Sequence, residues 1–550
     1  MRSQSLSLLL IVTLAAVLAA GSGAAFATPP PDLILHGGKI FTADAENPWV
    51  EAVAIRGTRF VAAGSSAEVL KHAGPSTRQI ALAGRVVVPG FNDAHTHLAV
   101  GFPRLSPPPI AIPGPGPTFG EALGQVEDAV AIAEAGEWIL VIIGELALFD
   151  PNADRTALDA VAPDNPVLLV TWSSHTGIIN SKAIEAAGLA EDEPDPFGGT
   201  YDRFPGTSTL NGVINEYALF KLFRSLRAPV PDAVMTSQYE AFTQELAQLG
   251  VTTIQEMPVG LTRARGEAIL AAADLKARVR LMCFPLDLGE SCRATRFRPT
   301  GRLRSTGTKW ILDGTPVERS AALREPYADF PGIGSFNVSA GELQRMVRRG
   351  LRGQPAQKQV LLHTVGDRAI DHALGALETA APDRRWRRLR PRLEHADMVL
   401  PEHYERARNL GLILVQNPTH LALDLNPSLG PERAAAAQPL RTLLEADVRL
   451  ALGSDAPRPN PFVDLFFAVT HPFHPAEALT MEQAVTAYTA GSAWAEFEDH
   501  RKGKIRRGYL ADLAVLSQDI FEIPPPAVLG TSSLLTVVGG DVVWDAGALD

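Results

Sequence analysis

Residues 85–97 read Arg-Val-Val-Val-Pro-Gly-Phe-Asn-Asp-Ala-His-Thr-His, and this stretch decides the fold. The β-branched run that ends at Pro89-Gly90 predicts a buried strand breaking into a turn. His95 and His97 follow it, two positions apart. Side chains at that spacing in extended backbone point to the same side, so both imidazoles can reach one point. Two imidazoles at a strand end are how a metal site begins, although an isolated His-x-His is more often a pair of solvated loop residues.

The composition is that of a globular protein large enough for more than one domain. The chain has 550 residues, of which 46% are hydrophobic and 20% charged, and its formal net charge is −11. The charges form no long runs, and a nucleic-acid surface would need a basic patch. We therefore expect a small-molecule substrate as partner and no nucleic acid. The sequence leaves a homo-oligomer open.

Residues 1–27 have the three parts of a secretory signal peptide. Arg2 supplies the positive region, residues 6–20 are apolar, and residues 25–27 (Ala-Phe-Ala) fit a small-x-small cleavage site. The apolar stretch is short for a membrane span, and a retained anchor is the alternative. We expect an exported protein, periplasmic or secreted, whose mature form has no stable membrane span.

The chain has two cysteines, Cys283 and Cys292. An oxidising compartment permits a disulfide between them, since the segment that separates them contains Pro285 and Gly289 and can turn back on itself. Two unpaired buried thiols fit the sequence equally well. Neither cysteine has a metal-type partner nearby, so we place neither in the site.

Eight strand-like runs occur through most of the chain, and helical stretches separate most of them. The runs span residues 85–91, 251–256, 279–284, 309–314, 359–363, 391–395, 411–416 and 448–455. Strands separated by helices are typically parallel and joined by crossovers. Eight such units predict an α/β fold of the (β/α)₈ (TIM) barrel type, whose active site lies at the carboxyl ends of the strands.

The two chain ends resemble each other rather than the middle. Both contain short strands with Gly-Gly turns, so residues 31–88 and 500–550 are predicted to build one composite β-sandwich. The barrel then occupies residues 89–499. An insertion at about 100–235, after the first barrel strand, begins with the proline-rich stretch 107–117. It holds strands of its own at 138–144 and 167–171, and we interpret it as a lid or substrate subdomain.

Polar side chains recur at the ends of the predicted strands. His95 and His97 follow the first strand, Lys309 begins the fourth, and His363, His395 and Asp455 end the fifth, sixth and eighth. Because the carboxyl ends of barrel strands converge, this placement predicts one cluster. Four imidazoles and a carboxylate suit zinc, as one or two divalent ions with a position open for water.

Two members of the cluster have individual roles. Asp455 suits a general base that also contacts the metal. The ammonium of Lys309 would be repelled by a cation, so it fits only if it is deprotonated and modified or points away. A lysine capped by solvent at a strand start is the alternative.

The chain resembles the amidohydrolase superfamily in its amidohydrolase-3 or YtcJ-like branch. Five ordered motifs carry the resemblance: residues 89–97, 309–314 (Lys-Trp-Ile-Leu-Asp-Gly), 363–369 (His-Thr-Val-Gly-Asp-Arg-Ala), 392–396 (Arg-Leu-Glu-His-Ala) and 453–457 (Gly-Ser-Asp-Ala-Pro). The resemblance implies that Lys309 is an N6-carboxylysine bridging two metals. One metal would be held by His95, His97 and Asp455, and the other by His363 and His395.

The function implied by the resemblance is hydrolysis of a carbon–nitrogen bond, an amide or N-acyl group other than a peptide bond. Hydrolysis of an ester, lactone or carbamate by the same centre is an alternative. A non-catalytic exported binding protein that carries a metal is another, but Asp455 argues against it, because a pure binder needs no base.

Candidate substrate contacts are less specific. Family members usually carry Asp-Gly-His where this chain has Ser173-Ser174-His175, so His175 persists in a changed setting. Glu216 in the insertion could reach the barrel mouth, although an exposed glutamate is usually only solvated. His420, after the seventh strand, is a third candidate.

Overall fold

In the computed structural model, which describes residues 29–98, 100–102, 116–292, 301–351 and 359–549, eight parallel strands form one sheet. In chain order they are β1 (Phe91–Thr96), β2 (Val251–Glu256), β3 (Arg278–Cys283), β4 (Leu303–Ile311), β5 (Val360–Thr364), β6 (Arg392–His395), β7 (Ile413–Gln416) and β8 (Arg449–Leu452). Chain neighbours are sheet neighbours, and the Asp455 N–H donates to the His95 carbonyl at 2.9 Å, which connects the end of β8 back to β1. The predicted barrel is confirmed.

The prediction that residues 85–91 form the first barrel strand is wrong. Val86–Pro89 pairs with Leu513–Leu516 and Lys39–Phe41 in a different sheet, and β1 begins at Phe91. Gly90 lies between the two strands, at the point where the chain passes from one sheet to the other, and a Cβ atom there would come within 2.2 Å of the Thr252 side chain. Glycine therefore lets the chain pass close to β2 as it changes sheets. Consequently His95 lies inside β1, not after it.

Helices cover the outside of the barrel, as the alternation predicts. The longer ones are Asp232–Gln248, Arg263–Ala272, Ala340–Arg349, Asp367–Ala380, Asp383–Leu389, Pro401–Leu410, Leu440–Glu445, Pro461–Thr470 and Met481–Thr486. Shorter helical turns are Pro418–Ala422, Asn426–Leu429, Pro431–Ala435, Pro475–Glu477, Ala487–Gly491 and Ser492–Ala495. Ala340–Arg349 illustrates the cause: Ser339 and Glu342 form a capping box, and Leu343, Met346 and Val347 form its buried stripe.

Two further sheets contain strands from the chain ends. One has the order Arg59–Gly64, Ala52–Arg56, Leu33–His36, Arg78–Ala81; the other has the order Asp541–Asp545, Ser533–Val538, Leu513–Leu516, Val86–Pro89, Lys39–Phe41, Trp49–Val50. Short helices Ser66–Val69, Leu70–His72 and Pro525–Val528 accompany them. Buried side chains from both sheets, such as Val53 and Leu513, form one apolar cluster.

The insertion between β1 and β2 has its own mixed sheet. Its strands, in sheet order, are Gly199–Arg203, Leu210–Glu216, Thr176–Ile179, Val167–Thr171 and Ile139–Ile143. Its helices are Phe119–Val130, Glu145–Leu148, Arg155–Val161, Ser181–Ala186 and Tyr217–Arg227. The two strands predicted here are confirmed. The proline-rich residues 107–115 and the predicted signal peptide lie outside the described residues.

The barrel interior beneath the carboxyl ends is polar. Arg280 donates to Gln359 at 2.6 Å and to Gln255 at 3.1 Å, and Arg392 donates to the same Gln255 oxygen at 2.6 Å. All four side chains are buried. Because buried charges need partners, this network holds Arg392 at a fixed position under the strand ends.

Two remaining expectations concern the cysteines and the membrane. Cys283, at the end of β3, forms a disulfide with Cys292, which decides between the two alternatives left open by the sequence. Within the described ranges, no helix is both long and apolar enough to cross a bilayer.

Candidate metal centre

Three predicted ligands meet at the carboxyl end of the barrel. Single ligand atoms of His95, His395 and Asp455 all lie within 4.8 Å of one another, a group that could hold a metal ion. His97 joins them, with its Nε2 3.2 Å from the Nε2 of His95 and 3.4 Å from an Asp455 oxygen. The expected convergence of two imidazoles two residues apart is thus seen in the geometry.

The backbone is strained where the cluster is built. Asp455 has φ 52° and His395 has φ 68°, both in the left-handed region that non-glycine residues rarely adopt. Gly453 approaches β1 so closely that a Cβ would lie 2.5 Å from the His95 nitrogen. Strain of this kind persists where surrounding contacts fix it and is common at functional sites.

Lys309 lies inside the cluster and not at the start of a strand. It is fully buried near the end of β4, with its Nζ 3.2 Å from the Nε2 of His95. The prediction that Lys309 begins the strand is wrong because β4 starts at Leu303, and Gly307, with φ 88°, interrupts the regular pattern before it. The solvent-capped alternative is also wrong. Burial lowers the pKa of Lys309 to about 8.

The donor set suits a divalent metal. Burial holds the pKa values of His95, His363 and His395 well below the ordinary value, and that of His97 at about 4, so the imidazoles are neutral, as ligands must be. The Nε2 of His363 is buried and has no hydrogen-bond partner among the described residues, although its ring lies 4.4 Å from that of His395. A metal would satisfy this nitrogen.

Asp455 supplies the negative charge of the cluster. Burial opposes ionisation, but the neighbouring histidines, among them His420 with its Nε2 3.4 Å from the carboxylate, hold the pKa of Asp455 below its ordinary value. The carboxylate, about a quarter exposed to the cavity, therefore stays ionised at neutral pH.

Comparison with known proteins agrees with this centre. Residues 78–544 match the family model described as "Amidohydrolase family". The chain belongs to this family. It is 28% identical to the putative amidohydrolase YtcJ of Bacillus subtilis (strain 168), over 93% of this chain and 99% of that protein. It is 26% identical to an N-substituted formamide deformylase of Arthrobacter pascens, over 92% and 97% of the two chains.

A solved structure leads to the same family assignment. The structure of a metal-dependent hydrolase from Pyrococcus furiosus superposes with a TM-score of 0.66 at 25% identity, covering 89% of this chain and all of that one. The resemblance inferred from the five motifs is confirmed, and the chain is a metal-dependent hydrolase of the amidohydrolase family.

The centre of this amidohydrolase includes a residue that sequence reasoning missed. Glu394 is fully buried and accepts a hydrogen bond from His95 Nδ1 at 2.6 Å and two from Arg392 at 2.7 and 2.8 Å. His97 Nδ1 likewise donates to the Met257 carbonyl at 2.6 Å. Both histidines therefore present Nε2 to the metal position. The available signal was an arginine and a glutamate two positions apart in one buried strand.

One predicted substrate contact of the amidohydrolase, His420, lies beside the cluster. Nδ1 of His420 contacts Asp397 at 2.9 Å, and its Nε2 lies 3.4 Å from Asp455. Burial opposes the charge, but Asp397 raises the pKa of His420 to about 10. Asn417, which the sequence did not single out, contacts His395 Nδ1 at 2.8 Å.

The other two predicted substrate contacts, His175 and Glu216, come from the insertion. Nδ1 of His175 lies 2.9 and 3.0 Å from the two Glu216 oxygens, and its ring lies 4.8 Å from that of His363. Glu216 is 6% exposed, so the solvated alternative is wrong. Although burial alone would lower it, Glu216 raises the pKa of His175 to about 9.

Proposed function

We propose that this amidohydrolase cleaves a carbon–nitrogen bond, an amide or N-acyl group, of a small molecule. The observation that carries the proposal is the position of Asp455. Its ionised carboxylate lies 3.3 Å from the Nε2 of His95 and 3.4 Å from that of His97, at the floor of a cavity. The relative named N-substituted formamide deformylase supports a C–N bond over an ester.

The imidazoles of His95, His97, His363 and His395, with Asp455, would hold one or two divalent ions, of which zinc suits the donors best. Bound there, such an ion lowers the pKa of the attacking water and polarises the substrate carbonyl. Asp455 takes a proton from the water while the water oxygen bonds to the carbonyl carbon of the substrate. The carboxyl group then gives that proton to the leaving nitrogen as the C–N bond breaks, which leaves an acid and an amine.

Three other side chains have supporting roles in this proposal. Lys309, carboxylated on Nζ, would become an anion at a position where an ammonium is repelled by a cation. His420, charged through Asp397, directs Nε2 to Asp455 and restrains it. His175, whose Nδ1 is held by Glu216, keeps Nε2 free to donate to the substrate.

The test is Asp455→Asn in zinc-loaded enzyme, assayed on aryl amides, N-acyl compounds, esters and lactones. Asparagine keeps the shape but removes the basicity, so kcat on the amide should fall by at least about 10²-fold while the histidine-bound metal is largely retained. Asp274→Asn is the control, because that carboxylate is 76% exposed and remote from the centre.

Either of two results would reject the proposal. Near-normal turnover by Asp455→Asn would leave Asp455 a purely structural role. Wild-type enzyme that hydrolyses only esters or lactones, or nothing at all, would favour the alternatives of an esterase-type hydrolase or a non-catalytic metal-bearing binding protein.

A further inference from the structure

A cavity of about 490 Å³ lies above the metal centre, between the strand ends and the insertion. This volume is in the range of small-molecule sites. Its walls are mostly apolar: Leu140, Ile142, Val170, Phe220, Phe223 and Phe284 line it. These six apolar side chains come from the insertion and from the end of β3, which are parts of the chain that the barrel chemistry does not use.

The insertion sheet places this wall by simple alternation. In the strand Ile139–Ile143, Leu140 and Ile142 face the cavity, while Val141 packs into a separate apolar cluster on the other side. Phe220 and Phe223 lie three residues apart on the helix Tyr217–Arg227 and therefore share a face.

Outside the metal centre, each charged side chain among the described lining residues has a partner within the protein. Asp397 contacts His420, and His175 contacts Glu216 through Nδ1, while its ring lies 4.8 Å from that of His363, at the reacting end of the cavity. Arg227 donates through Nε to the Val100 carbonyl at 2.7 Å and through Nη1 to the Val259 carbonyl. Its guanidinium also lies 3.8 Å from the centroid of the Phe102 ring.

Arg227 is 4% exposed, and its Nε–H is not available for the side-on bidentate contact with which arginine commonly holds a carboxylate. A bidentate pair needs two parallel N–H groups of the fork, and here Nε and Nη1 are directed to two different main-chain carbonyls. Arg227 thus fixes the segment around Val100 to the loop at Val259. The hydroxyls of Ser173 and Thr315, which also line the cavity, donate to Glu318 and so are not free to donate to an anion.

We infer that the part of the substrate beyond the scissile bond is uncharged and apolar, of aryl or branched alkyl type. This inference rests on the proposed function and specifies its substrate class. An ionic group carried into this wall would lose its hydration without gaining a partner, whereas an aromatic ring gains the contacts of three phenylalanines. N-acyl amino acids, with a free carboxylate, fit this cavity poorly.

The experiment compares amides that differ in one charge. N-acetylbenzylamine is measured beside its 4-methyl, 4-carboxy and 4-aminomethyl analogues on the full-length zinc-loaded enzyme. We expect kcat/KM to be at least about 10²-fold higher for the two neutral amides, because an unpaired buried ion costs several kcal/mol. Equal or higher kcat/KM for either charged analogue would overturn the inference.

Binding of the same four compounds, measured by titration calorimetry, separates this inference from the proposed function. Tighter binding of the neutral pair without turnover supports the apolar site while the proposed reaction fails. Turnover with a preference for a charged analogue supports the reaction and overturns the apolar site. Equal binding of all four compounds also overturns it.

A lysine placed in the cavity wall tests whether this wall sets the preference for uncharged substrates. Ile142→Lys puts an ammonium beside the bound ring, and we expect the 4-carboxy analogue to gain at least about tenfold in kcat/KM relative to the neutral amide. Leu146→Lys is the matched control, since Leu146 lies just after the same strand but is 52% exposed. An equal gain in both variants would overturn the inference, and the wild-type comparison remains decisive if Ile142→Lys does not fold.

Discussion

Glu394→Gln tests whether the polar barrel interior sets the state of the metal ligands. Both Glu394 oxygens accept hydrogen bonds. Oε2 accepts from His95 and from Arg392, and Oε1 accepts from the Nε–H of Arg392. Glutamine has the same shape, but one oxygen becomes an NH₂ group that can only donate. With its oxygen toward His95, the new NH₂ faces the Nε–H of Arg392. In the reverse orientation His95 must accept at Nδ1, so its proton moves to Nε2, the nitrogen that faces the metal.

The magnitude follows from burial and from the role of this carboxylate. Glu394 and Arg392 are both fully buried, and removing one partner of such a pair costs about 3–5 kcal/mol of stability. Loss of a group that orients a metal ligand costs about 10–100-fold in metal affinity. We therefore expect weaker zinc binding and a lower free energy of unfolding, with the effect on zinc exceeding what a surface substitution produces.

The assay is zinc affinity by competition with a chelator, combined with urea unfolding of metal-free and zinc-loaded protein. Glu402→Gln is the control, because the Glu402 side chain is 56% exposed and pairs with Arg324 on the surface. If Glu394→Gln binds zinc as tightly as the control, the proposed control of the His95 tautomer is wrong, whatever the change in stability.

The remaining predictions concern the bridge, the sheet interface and export. Lys309→Ala should reduce metal content and activity, and short carboxylic acids should partly restore both; full metal content and normal rates would exclude a bridging role. Asp512→Asn should cost about 3 kcal/mol in urea unfolding, because Asp512 accepts from Arg278 at 2.8 and 2.9 Å in a buried setting. Burial alone would raise the pKa of Asp512, but Arg278 lowers it below the ordinary value. This stabilisation should therefore be present above about pH 4, the pKa in the unfolded chain, and should be lost as the pH falls below that value through the lower pKa of the folded state. N-terminal sequencing of exported protein should begin near Thr28, and a cytoplasmic chain starting at Met1 would contradict the signal-peptide prediction.

The candidate metal ligands were predictable from sequence because each depends on one local fact, its place near the end of a barrel strand. His363 is the next-to-last residue of β5 and His395 ends β6, and parallel strand ends converge whatever the rest of the chain does. Small errors of register did not matter here. His95 lies inside β1 and Lys309 near the end of β4, yet both side chains still reach the cluster.

The residues around the ligands were not predictable in the same way, because their roles depend on contacts across the barrel. Glu394 looks like one more polar residue in a motif until Arg392 and His95 are seen on either side of it. Glu216 looks like a surface glutamate because its partner His175 is 41 residues away in the sequence. The strand Val86–Pro89 was misassigned for a related reason, since apolar content alone does not say which sheet a strand joins.

Ser173, in the stretch Ser173-Ser174-His175, suits its surroundings in this chain. Ser173 donates its hydroxyl to Glu318, which also accepts from Thr315. An aspartate at position 173 would bring a second carboxylate against Glu318, and like charges at that separation repel. Serine therefore fits a site in which Glu318 already supplies the acidic group.

Ser174, the next residue, is strained. It has φ 61°, a left-handed conformation that costs a non-glycine residue about 1–2 kcal/mol. The turn is nevertheless kept, because the His175 carbonyl accepts the Glu216 N–H at 2.7 Å, which holds His175 in place over His363. The position of the His175 main chain is thus fixed by a main-chain contact and not by the side chains of Ser173 and Ser174. The insertion can therefore vary the chemistry of the cavity wall without disturbing the ligands beneath it, and differences in substrate within the family should be sought there.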